Sequence, residues 1–455
     1  MIKKVLIANR GEIVSRIIKT CKSMGIETVV VYSDADQEAS YIKAATESYY
    51  IGSPSPVKSY LNIPILLEVL KKSQADAVHP GYGFLSEKAE FAKAVHKAGA
   101  VWIGPDPAVL ESIESKCYCR QLASELGLPV TPGTVKPIAS VDEIYDTARL
   151  YGVPLMLKLD KGGGGKGIQR VDALCAPAEM QRLLEGLRRV GAMAFASEDV
   201  YVEKIIGKAR HIEVQFLADA EQSVLCLGER DCSIQRRYQK IIEESPSPAV
   251  SEAQRQALFS YTKQLIRRMN YTGAGTIEYL CDRSGSFYFM EINARLQVEH
   301  PVTEFVTGID IVEQQIRIAA GERLALRQED IKCTGHAIEC RIYAEDPATF
   351  MPSPGLIRKL SLPDTVKNKQ LRIDTAVSEN SKIPPYYDPL FAKVIGWGET
   401  RAAAIEQLKS GLRSIVVEGI KTTIPADLEI LEHPDFVSGD FHTDFLQTQR
   451  HSKIS

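Results

Sequence analysis

The chain has 455 residues, 55 of them Lys or Arg and 58 Asp or Glu, for a net charge of −3. That balance argues against nucleic acid as the main partner, which usually goes with a basic excess. With 44% apolar and 25% charged residues the chain is an ordinary folded one, long enough for about three domains at roughly 150 residues each.

Residues 4–8 form a short apolar run. Ile13, Ile17, Ile18 and Cys21 follow at helical spacing, and residues 27–32 read as a second strand. Helices near 63–72 and 87–98 alternate with strands at 75–79 and 101–103. This βαβ rhythm predicts a parallel sheet over roughly the first 112 residues, with ligands at its strand ends. Two polar loops lie there, Asn9-Arg10-Gly11-Glu12 and His79-Pro80-Gly81-Tyr82-Gly83. A helix is expected at 116–126. Ser140-Val141-Asp142-Glu143 reads as a capping box opening another. Strands at 155–159, 167–171 and 201–204 make a small lid-like unit over 130–203. Further strands are expected at 211–217, 224–228, 275–280 and 287–293, then a helix at 401–412 and a strand at 414–417.

No apolar run reaches the ~20 residues of a membrane span, and residues 1–7 lack the pattern of a cleavable leader. Nine scattered cysteines without C-x-x-C spacing point to reduced thiols, so a cytoplasmic location is expected. Cys117-x-Cys119 reads as two small side chains on a helix.

The loudest local signal is Lys161-Gly162-Gly163-Gly164-Gly165-Lys166-Gly167. A dinucleotide fingerprint would run into a helix, yet Ile168–Val171 reads as a strand. A P-loop would place Ser or Thr after Lys166, where Gly167 stands. What remains is a glycine hairpin that can bring backbone N–H groups against phosphates. Lys158 precedes it on a strand, and Lys116 is a second candidate phosphate partner. Farther on, Glu278 and Glu291 can face each other if their strands are antiparallel neighbours. With Asn293 they form an oxygen-rich set suited to Mg²⁺ or Mn²⁺. Arg295 can fork onto a small planar oxyanion, with Gln297 and a backbone N–H completing the site. Glu299 can act as a base if burial raises its pKa. His300 reads as structural. The charged stretch 229–244 reads, on composition, as a solvated salt-bridged hairpin, and Arg341 says little alone.

Taken in order, several stretches are recognisable. They are Ile7-Ala8-Asn9-Arg10-Gly11-Glu12-Ile13, His79-Pro80-Gly81-Tyr82-Gly83-Phe84-Leu85-Ser86-Glu87, the glycine tract, Glu229-Arg230-Asp231-Cys232-Ser233, Gln235-Arg236-Arg237, Gln239-Lys240, the run from Glu291 to Glu304, and Pro352-Ser353-Pro354-Gly355. Together they resemble the biotin carboxylase component of biotin-dependent carboxylases, of the ATP-grasp superfamily, over nearly the whole length.

The resemblance implies an α/β chain with an ATP-grasp fold. It has a Rossmann-like N-terminal domain (1–112), an ATP-grasp domain (113–325) with a mobile glycine-loop lid (130–203), and a C-terminal α+β domain (334–442). It implies ATP contacts at Lys116, Lys158, Gly162, Gly163, Gly164, Gly165, Lys166, Gly167, Glu203, Lys204, Ile206, His211, Gln235 and Leu280. Two Mg²⁺ or Mn²⁺ ions would bind at Glu278, Glu291 and Asn293. Bicarbonate would meet Lys240, Arg295, Gln297 and the Val298 backbone, with Glu299 as base. Biotin would lie at Tyr82 and Arg341, the latter holding its enolate. Catalytic roles thus fall to Glu299, Arg341, Lys240 and Arg295.

Implied partners are a separate biotin carboxyl carrier protein, carboxyltransferase subunits and a second copy in a homodimer, with no nucleic acid or membrane. The family's Met-Lys-Met biotinylation signature does not occur in the chain. The expected reaction is ATP- and bicarbonate-dependent carboxylation of biotin, as the first half-reaction of acetyl-CoA or another acyl-CoA carboxylase. The alternatives are the biotin carboxylase component of a two-subunit pyruvate carboxylase, or a different ATP-grasp carboxylate ligase. Two positions depart from the family pattern: Tyr238, where many relatives carry His, and Asp160-Lys161, where small neutral residues are usual.

Overall fold

The computed structural model describes residues 2–162 and 167–452. Gly163, Gly164, Gly165 and Lys166, four of the expected nucleotide contacts, lie outside the described residues. The first body is the expected parallel sheet. Its strands are β1 (Lys4–Ile7), β2 (Glu27–Tyr32), β3 (Glu47–Tyr50), β4 (Ala77–His79) and β5 (Val101–Trp102), in the order β3-β2-β1-β4-β5. Helix Glu12–Ser23 covers the sheet with Ile13, Val14, Ile17, Ile18 and Cys21. β3 escapes a hydrophobic pattern search because its sequence, Glu-Ser-Tyr-Tyr, has no apolar face. Strand order reverses between β1 and β4, so the loops following these two strands border one crevice.

The lid is a three-stranded antiparallel sheet. β6 (Leu155–Leu159) lies between β7 (Ile168–Val171) and β8 (Val200–Lys204). Helices Asp142–Tyr151 and Pro177–Phe195 close its own small core around Ile144, Leu157, Leu184 and Val202. Only half of the expected capping box forms. Glu143 accepts from the N–H of Ser140 at 3.3 Å, but Val141 holds the cap position and no side chain caps the helix.

Two small two-stranded sheets, Gly355–Leu356 with Lys382–Ile383 and Lys359–Ser361 with Val416–Glu418, lie in the C-terminal part. The remaining strands build one eight-stranded antiparallel sheet. In spatial order it runs β13 (Phe287–Asn293), β12 (Gly273–Cys281), β9 (Arg210–Ala218), β10 (Val224–Arg236), β11 (Gln239–Ser245), β14 (His336–Tyr343), and then the strands Leu390–Gly398 and Leu371–Thr375. On β9 and β12 the two faces differ. Ile212, Val214, Phe216, Ile277 and Tyr279 pack with Leu258, Phe259, Leu265 and Ile266 of helix Glu252–Arg268. The alternate residues, His211, Glu213, Gln215, Thr276 and Glu278, point the other way and are buried too. β10 corrects the solvated-hairpin reading: residues 224–235 are buried throughout. Its charges are enclosed because a second layer of the molecule lies over them.

Candidate active site

The carboxylate strands pair as the alternation requires. Glu278 stands directly opposite Glu291, and Thr276 opposite Asn293. A bulge follows at once, since Tyr279 pairs with Phe289 and leaves Met290 as the extra residue. Bulges of this kind re-aim neighbouring side chains and are common beside active sites. Their environments split their titration. Burial opposes the charge on Glu278, but Lys240 and His211 outweigh it and hold the carboxyl low. Burial raises Glu291; Lys116, 3.7 Å away, lowers it, and Glu278 raises it again.

Lys240 is the hub of the site. Its Nζ lies 2.7 Å from Glu213, 2.7 Å from Glu278 and 2.7 Å from Glu299. Burial disfavours the ammonium, yet the three carboxylates push its pKa well above that of an ordinary lysine. His211, Glu213 and Glu278 form one buried cluster of potential metal ligands, and Glu213, Cys232 and Glu299 form another. The ammonium bridges both. Beneath Glu213 lies Arg230, fully buried and bonded to it, to Gln215 (2.9 Å), Thr303 (2.9 Å) and Thr276 (3.1 Å).

Glu299 is fully buried. Besides Lys240 it accepts from Arg341 Nη2 at 3.0 Å, while Arg341 Nε lies 2.6 Å from Glu243. This overturns the expectation that burial raises the Glu299 pKa. Burial does act in that direction, but Lys240, Arg341 and Arg230 outweigh it and hold the carboxyl well below the usual range. Glu299 is thus ionised and able to accept a proton.

The oxyanion set also assembles. Arg295 donates to Gln297 Oε1 (3.1 Å), Asn293 Oδ1 (3.1 Å) and the Leu296 carbonyl (3.1 Å), and is braced from behind by Glu87 at 3.0 Å. Gln297 Nε2 is buried with no partner among the described residues. A buried donor left in this state, beside a guanidinium, fits a small anion. His300 is structural as expected: it is buried, its Nδ1 lies 2.7 Å from the Gln297 carbonyl, and burial keeps its pKa low.

At the lid side, Lys158 is not free. It lies 3.2 Å from Glu203, which Arg120 also approaches at 3.4 Å. Lys116 reaches the Gly162 carbonyl. Gly167 adopts φ +77°, and a Cβ there would overlap the Leu159 side chain, so only glycine fits this end of the hairpin. Lys204 donates to the Val153 carbonyl at 2.7 Å, Ile206 is half-buried beyond β8, and Leu280 is half-buried opposite His211. Gln235 meets His211 Nδ1 at 2.7 Å.

Asp160 is a structural residue: its carboxylate accepts from the N–H of Cys117 at 2.7 Å at the start of helix Lys116–Glu125, and Lys161 pairs with Glu114 at 3.4 Å instead. Tyr238 and Arg237 make the β10–β11 turn, both at positive φ, with Tyr238 exposed.

At the opposite end, the Tyr82 loop is pinned by Asn9, which donates to the carbonyls of Pro80 (2.6 Å) and Tyr82 (2.8 Å), and by His79, which accepts from the Gly81 N–H at 3.0 Å. The Tyr82 hydroxyl bonds Glu12.

Sequence reading missed Glu12, Glu87, Glu213, Arg230, Glu243 and Lys393. Glu213 carried a signal: His211, Glu213 and Gln215 alternate polar with apolar along one strand, as does Thr276-Ile277-Glu278. That pattern suggests a wet face unless the covering layer is known.

The donor set is oxygen-rich around Glu278, Glu291 and Asn293, and suits a hard divalent cation bridging phosphates. Three family descriptions match the chain: biotin carboxylase N-terminal domain over residues 1–110, the ATP-binding domain of the carbamoyl-phosphate synthase L chain over 115–327, and biotin carboxylase C-terminal domain over 339–448. The chain belongs to the biotin carboxylase family. Its relatives include biotin carboxylase 2 of Bacillus subtilis, 48% identical over 98% of this chain and 99% of that one. A pyruvate carboxylase subunit of Methanothermobacter thermautotrophicus is 43% identical over 99% and 90%. Among solved structures, the biotin carboxylase domain dimer of Hydrogenobacter thermophilus 2-oxoglutarate carboxylase, in complex with MgADP and bicarbonate, superposes with a TM-score of 0.94 at 41% identity over 99% and 98%.

Proposed function

We propose that this chain carboxylates biotin, using ATP and bicarbonate, by way of carboxyphosphate. The observation that carries the reading is the grip on Glu299. A fully buried carboxylate is held by Lys240 at 2.7 Å and Arg341 at 3.0 Å, and the orphaned Gln297 amide and Arg295 lie within the same short segment.

Arg295, Gln297, Lys240 and the Val298 N–H bind bicarbonate, and Glu299 takes its proton. The freed oxygen attacks the γ-phosphorus of ATP, and ADP leaves. Lys116, Lys158, Gly162 and Gly167 line the phosphates, Gly163, Gly164, Gly165 and Lys166 being assigned there by the family resemblance, while Glu203, Lys204, Ile206, His211, Gln235 and Leu280 hold the rest of the nucleotide. Glu278, Glu291 and Asn293 would hold two divalent cations, which would offset charge on the transferring group. Carboxyphosphate releases CO₂ and phosphate in a closed pocket. Phosphate removes the N1′ proton of biotin near Tyr82, the nitrogen captures CO₂, and Arg341 holds the ureido oxygen.

The domain boundaries 1–112, 113–325 with lid 130–203, and 334–442 are supported by the parallel sheet, the three-stranded sheet and the far strands of the eight-stranded sheet. Biotin arrives on a carrier protein, and carboxylate passes on through a carboxyltransferase. Acetyl-CoA or another acyl-CoA is the favoured final acceptor; the match to a pyruvate carboxylase component supports pyruvate as the second reading. A homodimer is expected.

The test is ADP release by the purified chain with and without bicarbonate and free biotin. Release stimulated by both supports the assignment. Release driven by another carboxylate, with bicarbonate inert, would point to a different ATP-grasp ligase, and ATP binding without stimulated hydrolysis to a regulatory relative.

A further inference from the structure

Lys393 is a fully buried lysine that the reaction above does not use. Lysines are seldom enclosed unless something specific holds them. It lies on strand Leu390–Gly398 directly opposite Arg341 of β14, so the two cations project from one face of adjacent strands. They grip consecutive residues. Arg341 takes the side chain of Glu299 at 3.0 Å, and Lys393 Nζ donates to the backbone carbonyl of Val298 at 2.9 Å. That carbonyl belongs to the peptide joining Val298 to Glu299.

On its other side, Lys393 Nζ lies 3.3 Å from Glu12, the carboxylate bonded to the Tyr82 hydroxyl, and 5.9 Å from the Tyr82 ring centroid. Asp374 is farther, at 4.0 Å, and is already forked by Arg372 at 2.9 and 2.6 Å. Lys393 joins two bodies of the protein: the segment carrying the base, and the start of helix Glu12–Ser23 beside the Tyr82 loop.

We propose that Lys393 is a positioning residue that couples the two substrate subsites, fixing the Val298–Glu299 peptide on one side and, through Glu12, Tyr82 on the other. The inference rests on the assignment of those subsites to bicarbonate and biotin. When biotin settles against Tyr82, the shift is passed through Glu12 and Lys393 to the peptide of the base, so bicarbonate is held in attack geometry once the acceptor is present. Loosening such a brace by an ångström costs about one to two orders of magnitude in turnover efficiency.

The experiment measures the KM for bicarbonate and kcat of ADP release at low and at saturating free biotin, in the wild type and in the K393M, K393R and E12Q variants of the full chain. Thermal melting serves as the fold control. In the wild type, saturating biotin is expected to lower the bicarbonate KM. In K393M that ratio should collapse to about one, with the bicarbonate KM raised at least about tenfold. K393R, which keeps a donor, should recover part of the ratio. E12Q, which keeps the side-chain shape and removes the ion pair, should lose the ratio while melting near the wild type. A folded E12Q variant that retains the full biotin effect overturns the proposal, and so does K393M with lowered melting temperature and an unchanged ratio. A wild type without bicarbonate-stimulated release overturns the underlying assignment and this inference with it. Stimulated wild-type release with an insensitive K393M overturns the inference alone.

Discussion

The decisive residue is Glu299, a carboxylate that Lys240, Arg341 and Arg230 keep ionised. Removing it should abolish bicarbonate-dependent ADP release: we expect E299Q, and likewise R341A, to lose at least about a hundredfold in biotin-stimulated turnover while circular dichroism remains native. The pH dependence follows from the same contacts. Glu299 must be ionised to accept a proton, and Arg341 is one of the charges that depress its pKa. Replacing Arg341 by Gln raises that pKa, so the acid limb of the kcat/KM profile for bicarbonate should move to higher pH. An unmoved limb would remove Glu299 from the role of base.

Its neighbour Glu243 behaves in the opposite sense. Burial pushes it up to about 7 against the pull of Arg341. Its folded pKa exceeds the ordinary value, so between about 4.5 and 7 the native state holds a proton that the unfolded chain has lost. Stability therefore declines as pH rises through that window. E243Q should flatten this slope in a plot of melting temperature against pH.

At the level of elements, the lid hairpin and the bulged carboxylate pair carry different burdens. G167A forces a Cβ into the Leu159 side chain at a positive φ. We expect it to lower the melting temperature and raise the KM for ATP several-fold, with the bicarbonate KM nearly unchanged. Elements also show how far the amino-acid order could be read. The pairing of Glu278 with Glu291 was legible on the condition that their strands are antiparallel neighbours, because Thr276-Ile277-Glu278 and Glu291-Ile292-Asn293 both alternate polar with apolar, whereas the bulge at Met290 left no mark in the sequence. The three anions around Lys240 were not, because they stand 27, 38 and 59 residues away on separate elements. The β10 charges were misread for a related reason: local composition records polarity, whereas burial depends on what later packs above. β3 was missed because its tyrosines and polar residues give no apolar stripe.

For the whole molecule, the lid has its own small core and meets the rest through Asp160, Glu203 and Val130, whereas β9 to β12 share a continuous core with the parallel-sheet body. Hydrogen exchange should therefore be fast in residues 155–162 and slow in 224–235, with magnesium nucleotide protecting the former. Equal protection in both, without ligand, would contradict a lid that opens on its own.

The eight-stranded sheet does not stop where the ATP-binding half ends. β11 hands over to β14, and Glu243, Glu299 and Arg341 straddle that seam. The far half is thus not a detachable cassette. Chimeras that graft it from a cousin should work only when the donor matches this buried triangle, which makes the seam, and not the linker, the natural unit for engineering hybrids.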